Sequence, residues 1–327
     1  MSHASTATAP APTAKHTRTA ENTVVGFIGL GHMGSGMSRN LQAAGFKLVV
    51  TDLRREAASE LLANGAEWAD SAAELARRSD VVITMLPTPS IVSALLQGEN
   101  GLLAGLSDGK TWIDMSTSVP EVADGVREMA AARGINIIDA PVSGMSVGAA
   151  NGMLQIFVGA DPELFAEHFP VLEAMGDPER IINVGGAGAG YAVKLMINQL
   201  WFSHLVATAE VLAIGTAAGV DLGVLRQSLI ASPANSNFLE SDVLSILNDG
   251  DYDEGFAIAL ACKDLGLSID LARSVGMPSE VSALVEQVFR RARRSYGDSA
   301  GEMTPFKLYE DLLGEPLRLA NTAGGAA

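Results

Sequence analysis

Three groups of residues in this 327-residue chain have types and spacings that could do chemistry. Lys194 and Asn198 lie four apart in a long segment free of proline, so on a helix they share a face. The rest of that face is largely apolar. Such a pair suits a proton carrier with a neighbour that orients a substrate, because burial disfavours the charged form of an amine and brings it toward acid–base work. The spacing fits equally a snorkelling lysine beside a satisfied amide. The second group is Asp139-Ala140-Pro141-Val142-Ser143-Gly144, at the end of a strand-type run. Ser143 and the backbone N–H groups after it can donate to a carboxylate; an ordinary turn of small residues would read the same way. The third is Gly29-Leu30-Gly31-His32-Met33-Gly34, a G-x-G-x-x-G, with Asp52 eighteen residues after Gly34.

The third group has the surroundings its chemistry needs. Val24-Val25-Gly26-Phe27-Ile28 is a short apolar strand that runs directly into the glycines. A helical stretch to about Gly45 follows, then a second strand, Lys47-Leu48-Val49-Val50-Thr51, ending at Asp52. In such a unit the first glycine permits the tight turn and the second lets a pyrophosphate approach the backbone. The third lets helix and strand pack closely. The helix start offers unpaired N–H groups to phosphate, and the acid accepts the ribose hydroxyls. The reading is a dinucleotide site: NAD, with NADP secondary, because Asp52 would repel a 2′-phosphate while Arg54 and Arg55 partly offset it. Met85-Leu86-Pro87 and Ser116-Thr117 also end strand-type runs. They could line a nicotinamide-ribose cleft or be plain loops.

Strand and helix signals alternate onward from there. Asp80 to Leu86, Thr111 to Asp114, Asn136 to Asp139, Leu154 to Val158 and Arg180 to Asn183 read as strands. This predicts an α/β fold: an N-terminal Rossmann-type, doubly wound, mostly parallel sheet. After Gly185-Gly186-Ala187-Gly188-Ala189-Gly190 the pattern changes to helices only, around Leu222 to Ile230, Phe238 to Leu247, Phe256 to Val275 and Ser279 to Arg294, with one long segment first, to Val220. An all-α C-terminal domain is expected, its long first helix apolar on more than one face and therefore buried within the domain or against another subunit. The expected division is a disordered tail over 1–22, a dinucleotide-binding domain over 23–185, a helical domain over 186–318 and a flexible tail over 319–327.

Composition bounds the partners. Lys plus Arg is 22 against 38 for Asp plus Glu, a net charge of −16. Such a surface repels nucleic acid and anionic membranes, and an acid substrate needs a locally positive site. Arg290-Arg291-Ala292-Arg293-Arg294 reads as a solvated helix face. The single cysteine, Cys262, excludes an internal disulfide framework. His3, His16, His32, His168 and His204 have no metal-ligand spacing, so no metal is expected. The first twenty residues are too polar for a secretory signal, and a cytoplasmic setting is expected. No uninterrupted apolar run of membrane length is seen; the nearest, Leu195 to Val220, carries Asn198, Gln199, His204 and Glu210.

Together these segments resemble the β-hydroxyacid dehydrogenase family, which contains 3-hydroxyisobutyrate dehydrogenase and tartronate semialdehyde reductase. The resemblance spans about Val24 to Leu313. It rests on the block from Val25 to Gly34, on Asp139 to Gly144 with Gly148-Ala149 and Gly152, on Gly188-Ala189-Gly190 through Lys194 to Asn198, and on Lys263-Asp264-Leu265. It implies Lys194 as general acid/base, and Ser143, Gly144 and Asn198 as substrate-holding residues. It further implies that Thr117 and Lys263 contact the cofactor near its nicotinamide, and that the protein is a homodimer or homotetramer built on the long helix. The implied reaction interconverts a small 3-hydroxy acid, or a sulfonate analogue, and its semialdehyde. Imine reductase shares the fold, but its lysine is typically replaced; a non-catalytic dinucleotide-binding protein is the other alternative. Two departures stand out: Met145 where the family has a second glycine after the serine, and Met153 where it has threonine. Met145 borders the substrate loop and could narrow the pocket. By residues alone, Lys263-Asp264 reads as a surface ion pair.

Overall fold

The computed structural model describes residues 17–253 and 255–319. The chain divides between Lys194 and Leu195 into two compact units.

The first unit is built on a single sheet. Its strands are β1 (Val24–Ile28), β2 (Lys47–Thr51), β3 (Glu67–Trp68), β4 (Val81–Thr84), β5 (Thr111–Asp114), β6 (Asn136–Asp139), β7 (Val142–Ser143), β8 (Leu154–Gly159) and β9 (Gly176–Gly185). The order is β3-β2-β1-β4-β5-β6-β8-β7, with β9 also on β8. From β3 to β6 every pairing is parallel; β8 runs antiparallel to β6 and β7. The expected doubly wound sheet is thus present. The two-residue strands β3 and β7 are too short to leave a period in the sequence.

These strands are apolar on both sides because helices cover both faces. Val25, Phe27, Val81 and Ile83 point into one core with Met37 and Leu41 of the helix His32–Ala43. Ile28, Val49, Val82 and Trp112 point into the other with Leu75, Val92 and Val126. Strand order reverses between β1 and β4, and the C-terminal ends at such a switch point form the ligand crevice of an open α/β sheet. Gly29 leaves β1 there, and Met85-Leu86-Pro87 leaves β4.

The second unit is helical. It holds most of the helix Ala189–Ala217, then Leu222–Ile230, Ile258–Ser274, Glu280–Tyr296 and Thr304–Leu313. The helix expected over 238–247 is replaced by two π-type turns, Phe238–Asp242 and Ser245–Asp249, and the helix at 304–313 lies beyond the predicted ones. Phe202, Leu205, Ala209 and Leu212 of the long helix join the core with Phe238, Leu265 and Phe289. Met196, Leu200, Val211 and Ile214 form an exposed stripe on that helix, Ile214 at 61%. By length and composition the long helix could cross a membrane, although Asn198, Gln199, His204 and Glu210 interrupt its apolar run. A core helix of a multi-helix protein passes the same test, and one third of its most apolar window is buried inside the chain.

Two boundaries differ from expectation. Arg18, placed in the tail, donates its backbone N–H to the Glu167 carbonyl (2.9 Å), while its guanidinium pairs with the Glu167 carboxylate (2.8 Å) and bonds Gly109 O (2.8 Å). Residues 17–22 are therefore anchored, and residues 1–16 and 320–327 of the expected tails lie outside the described residues. The first unit also runs past 185 to Lys194. The opening turn of the long helix is held by a carboxylate of β6, as described next.

Candidate active site

The glycine turn can be tested position by position. Gly29 has φ +98°, and a Cβ on it would lie 2.3 Å from Met85 O, so only glycine fits. A Cβ on Gly34 would lie 1.9 Å from Gly29 O, so turn and helix can close only on a bare Cα. Gly31 differs: a Cβ there would meet nothing within 4 Å. Nothing inside the chain requires glycine at that position. The space beside it is open, which is what a pyrophosphate set on the helix start needs. Gly31 is the N-cap of the helix His32–Ala43, and no side chain caps it. Its first N–H groups, from His32 and Met33 on, are open to an anion. Asp52 is pinned beside them, accepting from Leu30 N (2.7 Å) and Arg54 N (2.9 Å). The free lone pairs of its carboxylate can take ribose hydroxyls. Arg55 instead stacks on Trp68, 5.2 Å from the ring centre.

Across the switch point, Leu86 N donates to Ser116 Oγ (2.9 Å), which donates to Asp114 (2.6 Å). The loop of Leu86 and Pro87 is thus tied to the loop of Ser116 and Thr117. Thr117 is half-buried and Pro87 exposed.

Asp114 and Asp139 end neighbouring strands, in register, and both are fully buried. Asp139 accepts from Gly188 N (2.6 Å) and Tyr191 N (3.2 Å), the start of the long helix. Asp114 accepts from the Tyr191 hydroxyl (2.7 Å), Thr84 Oγ1 (2.7 Å) and Ser116. Burial pushes both carboxyls upward, opposed by these donors. Burial, and then Asp114, push the Tyr191 phenol well above its ordinary value, so it stays a donor. Lys194 follows three residues after Tyr191 and is itself buried, at 8% exposure. Little of the side chain is therefore left in water, whereas a freely snorkelling lysine exposes its head.

Ser143 sits in β7 opposite Gln155, half-buried. Its hydroxyl has no hydrogen-bond partner among the described residues. Gly144 has φ +126°, and Met145 has φ +58°, the one non-glycine residue with positive φ among the described residues. Met145 keeps the left-handed backbone that suits glycine better.

In the second unit, Asn198 Nδ2 donates to Asp264 Oδ2 (2.8 Å), and Lys263 Nζ lies 2.9 Å from Asp264 Oδ1. Asp264 is 1% exposed, so this is not the surface ion pair the dipeptide suggested. The run of Ile, Leu and Ala around it buries the carboxylate, and Asn198 and Lys263 partner it. Asp114 and Tyr191 were not singled out from sequence, and Asp264 was singled out only as half of a surface ion pair. An acid ending the strand Thr111-Trp112-Ile113-Asp114, without a turn to explain it, was the available signal.

Comparison with known proteins decides the relationship. Residues 24–186 match the sequence model of the NAD-binding domain of 6-phosphogluconate dehydrogenase. Residues 188–309 match that of the NAD-binding region of NADP-dependent 3-hydroxyisobutyrate dehydrogenase. The 3-hydroxyisobutyrate dehydrogenase of Pseudomonas aeruginosa is 38% identical over 82% of this chain and 91% of its own. The chain belongs to the β-hydroxyacid dehydrogenase family. Other members are similar over comparable spans. The 2-(hydroxymethyl)glutarate dehydrogenase of Eubacterium barkeri is 33% identical, covering 89% of this chain and 96% of its own. The structure of Mycobacterium tuberculosis 3-hydroxyisobutyrate dehydrogenase with L-serine superposes with a TM-score of 0.80 at 30% identity, covering 88% and 98%. Imine reductase structures share the fold at 20% identity or less. As a member of this family the protein is an oxidoreductase that uses NAD, with NADP possible.

Proposed function

We propose that this protein oxidises the primary alcohol of a small 3-hydroxy acid to its semialdehyde, reversibly, with Lys194 as general acid/base. The observation that carries the reading is a buried lysine one turn into a helix whose start is clamped by two strand-end carboxylates. NAD, held by the turn at Gly29, Gly31 and Gly34 and by Asp52, would supply the acceptor for the hydride of C3 when bound. Lys194 Nζ takes the proton of the hydroxyl in that direction and returns it in reduction. Ser143 Oγ and the Gly144 backbone hold the acid group, and Asn198, its amide fixed by Asp264, orients the hydroxyl. Leu86, Pro87, Thr117 and Lys263 contact the cofactor.

The substrate class rests on what the compounds in three relatives' names share. 3-Hydroxyisobutyrate, 2-(hydroxymethyl)glutarate and L-serine all carry a CH₂OH on the carbon beside a carboxylate. They differ at that carbon, so a panel of the three, with a sulfonate analogue, assays NADH formation against side-chain size. Lys194→Ala should keep NAD binding and lose kcat by on the order of 10²–10⁴. Lys194→Arg should not rescue it, because a guanidinium does not release its proton near neutral pH. Activity of Lys194→Ala within about tenfold of wild type would remove Lys194 from the mechanism. Imine reduction is disfavoured by the presence of that lysine, and the non-catalytic alternative by the whole set.

NAD is favoured over NADP by Asp52, held beside the turn; higher kcat/KM with NADP would contradict this. The exposed stripe Met196, Leu200, Val211 and Ile214 supports a homodimer or homotetramer over a membrane or nucleic-acid partner, given the charge of −16. Only monomer in light scattering at micromolar concentration would argue against it. A cytoplasmic setting fits such a soluble small-molecule activity.

A further inference from the structure

The Asp114 network joins two limbs that catalysis must keep in step. One limb runs from Leu86 N through Ser116 Oγ to Asp114. The other runs from Asp114 to the Tyr191 hydroxyl, on the helix that carries Lys194 three residues later. Residues three apart on a helix are neighbours on its surface. Asp139 fixes the same helix start from the adjacent strand end through Gly188 N and Tyr191 N. The glycines around it leave room for that carboxylate, Gly190 also for the Phe157 carbonyl. A Cβ on Gly159 would lie 2.4 Å from Asp139 Oδ2, and one on Gly190 2.7 Å from the same atom.

We propose that Tyr191, anchored on Asp114, is a positioning residue for Lys194, and that Asp114 is the shared anchor of the proton carrier and of the Leu86 cofactor loop. The inference rests on Lys194 as proton carrier. A merely structural tyrosine would need only its ring buried. Here the hydroxyl is the donor to Asp114 Oδ2, while Thr84 Oγ1 and the Ser116 hydroxyl and N–H all donate to Oδ1. The bond thus ties the rotation and depth of the helix start to the one carboxylate oxygen that the strand-end hydroxyls leave open. Burial holds the phenol in its protonated form, so the bond persists across the working pH range.

The test uses Tyr191→Phe in the full chain, with 3-hydroxyisobutyrate first and otherwise the best acid of the panel. Phenylalanine keeps the ring and leaves Asp114 Oδ1 its donors but Oδ2 without the phenol, so a denaturant midpoint and the fraction of NADH-binding protein are measured first and activity is referred to folded protein. The expected result is a fall in kcat of on the order of 10- to 10²-fold, the scale of a small misplacement at the reacting atoms. KM for NAD and for the acid should stay within about twofold. The isotope effect with substrate deuterated at C3 should rise as the chemical step becomes limiting. Added to Lys194→Ala, the substitution should cost nothing further, because the residue it positions is gone. Ser116→Ala, which cuts the other limb, should instead raise KM for NAD. A Tyr191→Phe kcat within about twofold of wild type, while Lys194→Ala is inactive, overturns the positioning role alone. So does a loss matched by an equal loss of NADH-binding protein, which would mark Tyr191 as structural. A further loss on top of Lys194→Ala overturns it as well. If Lys194→Ala itself remains active, the proton-carrier reading fails first, and this inference with it.

Discussion

Two glycine turns in the first unit each lead into a helix, and they treat the helix start in opposite ways. After β1, the turn at Gly29 to Gly34 leaves the helix start open: no side chain caps it, and Gly31 faces nothing within 4 Å. Before the long helix, the turn at Gly185 to Gly190 delivers its N–H groups onto the buried carboxylate of Asp139. A helix start attracts negative charge in either case. The open one is left for a diffusible anion, and the closed one receives a permanent anion from the chain. Glycine in the first turn makes room for a ligand; glycine in the second makes room for a side chain. The same residue type in the same local setting therefore serves binding in one place and positioning in the other.

The contrast can be broken most sharply at the first turn itself. Gly34→Ala should destabilise the fold by about 3 kcal/mol, since its Cβ would lie 1.9 Å from the backbone oxygen of Gly29. Denaturant unfolding measures this, and an unchanged midpoint would mean that the turn can relax. Gly31→Ala should leave that midpoint alone and weaken NAD binding by about 1.5–3 kcal/mol, the loss of a backbone bond to a charged group. Calorimetric titration with NAD reads it; tight binding in this variant would remove the pyrophosphate from Gly31.

His168 sharpens the comparison from another side, as a buried polar group with one partner instead of several. Its Nδ1 meets Leu164 O at 2.9 Å, and its Nε2 has no hydrogen-bond partner among the described residues. Burial holds its pKa below the ordinary 6.5. Folding thus favours the neutral ring, so the stabilisation is present above about pH 6.5 and is lost as pH falls through the lowered folded value. Thermal midpoints should drop between about pH 7.5 and about 5.5 in wild type and drop less in His168→Met. Parallel curves would show that His168 does not titrate with unfolding. The smallest effect is expected at Met145. Met145→Gly removes left-handed strain of about 1 kcal/mol, less whatever contacts the half-buried thioether makes. A slightly raised midpoint is expected; a lowered one would mean that packing at Met145 outweighs the strain.

The first turn was legible in the sequence because its parts are local: strand, glycines, helix and acid fall within Val24 to Asp52. The mostly parallel sheet and the helical second unit followed from alternating patterns that persist over many residues. The second turn was legible as a motif but not as a mechanism. Asp139 meets Gly188 forty-nine residues away, and Asp114 meets Tyr191 seventy-seven away. No periodicity marks contacts at such separations. Asp264 was misjudged for a related reason: a Lys-Asp dipeptide gives no sign of Asn198, one helix away, as its partner. The division of the chain was placed at Gly185, where composition changes, whereas long-range carboxylate bonds keep the next helical turns with the sheet.

The hydrogen bonds around Asp114 have only one possible direction. The indole N–H of Trp112 donates to Thr84 Oγ1 (2.9 Å), and the amide of Leu86 donates to Ser116 Oγ. Neither an indole nor an amide N–H can accept, so both hydroxyls must turn their hydrogens toward the carboxylate. The circuit is polarised inward from both ends and has no reversed state available. It cannot relay a proton to the surface. While Asp114 is ionised, a proton has no outlet through the Thr84 and Ser116 hydroxyls.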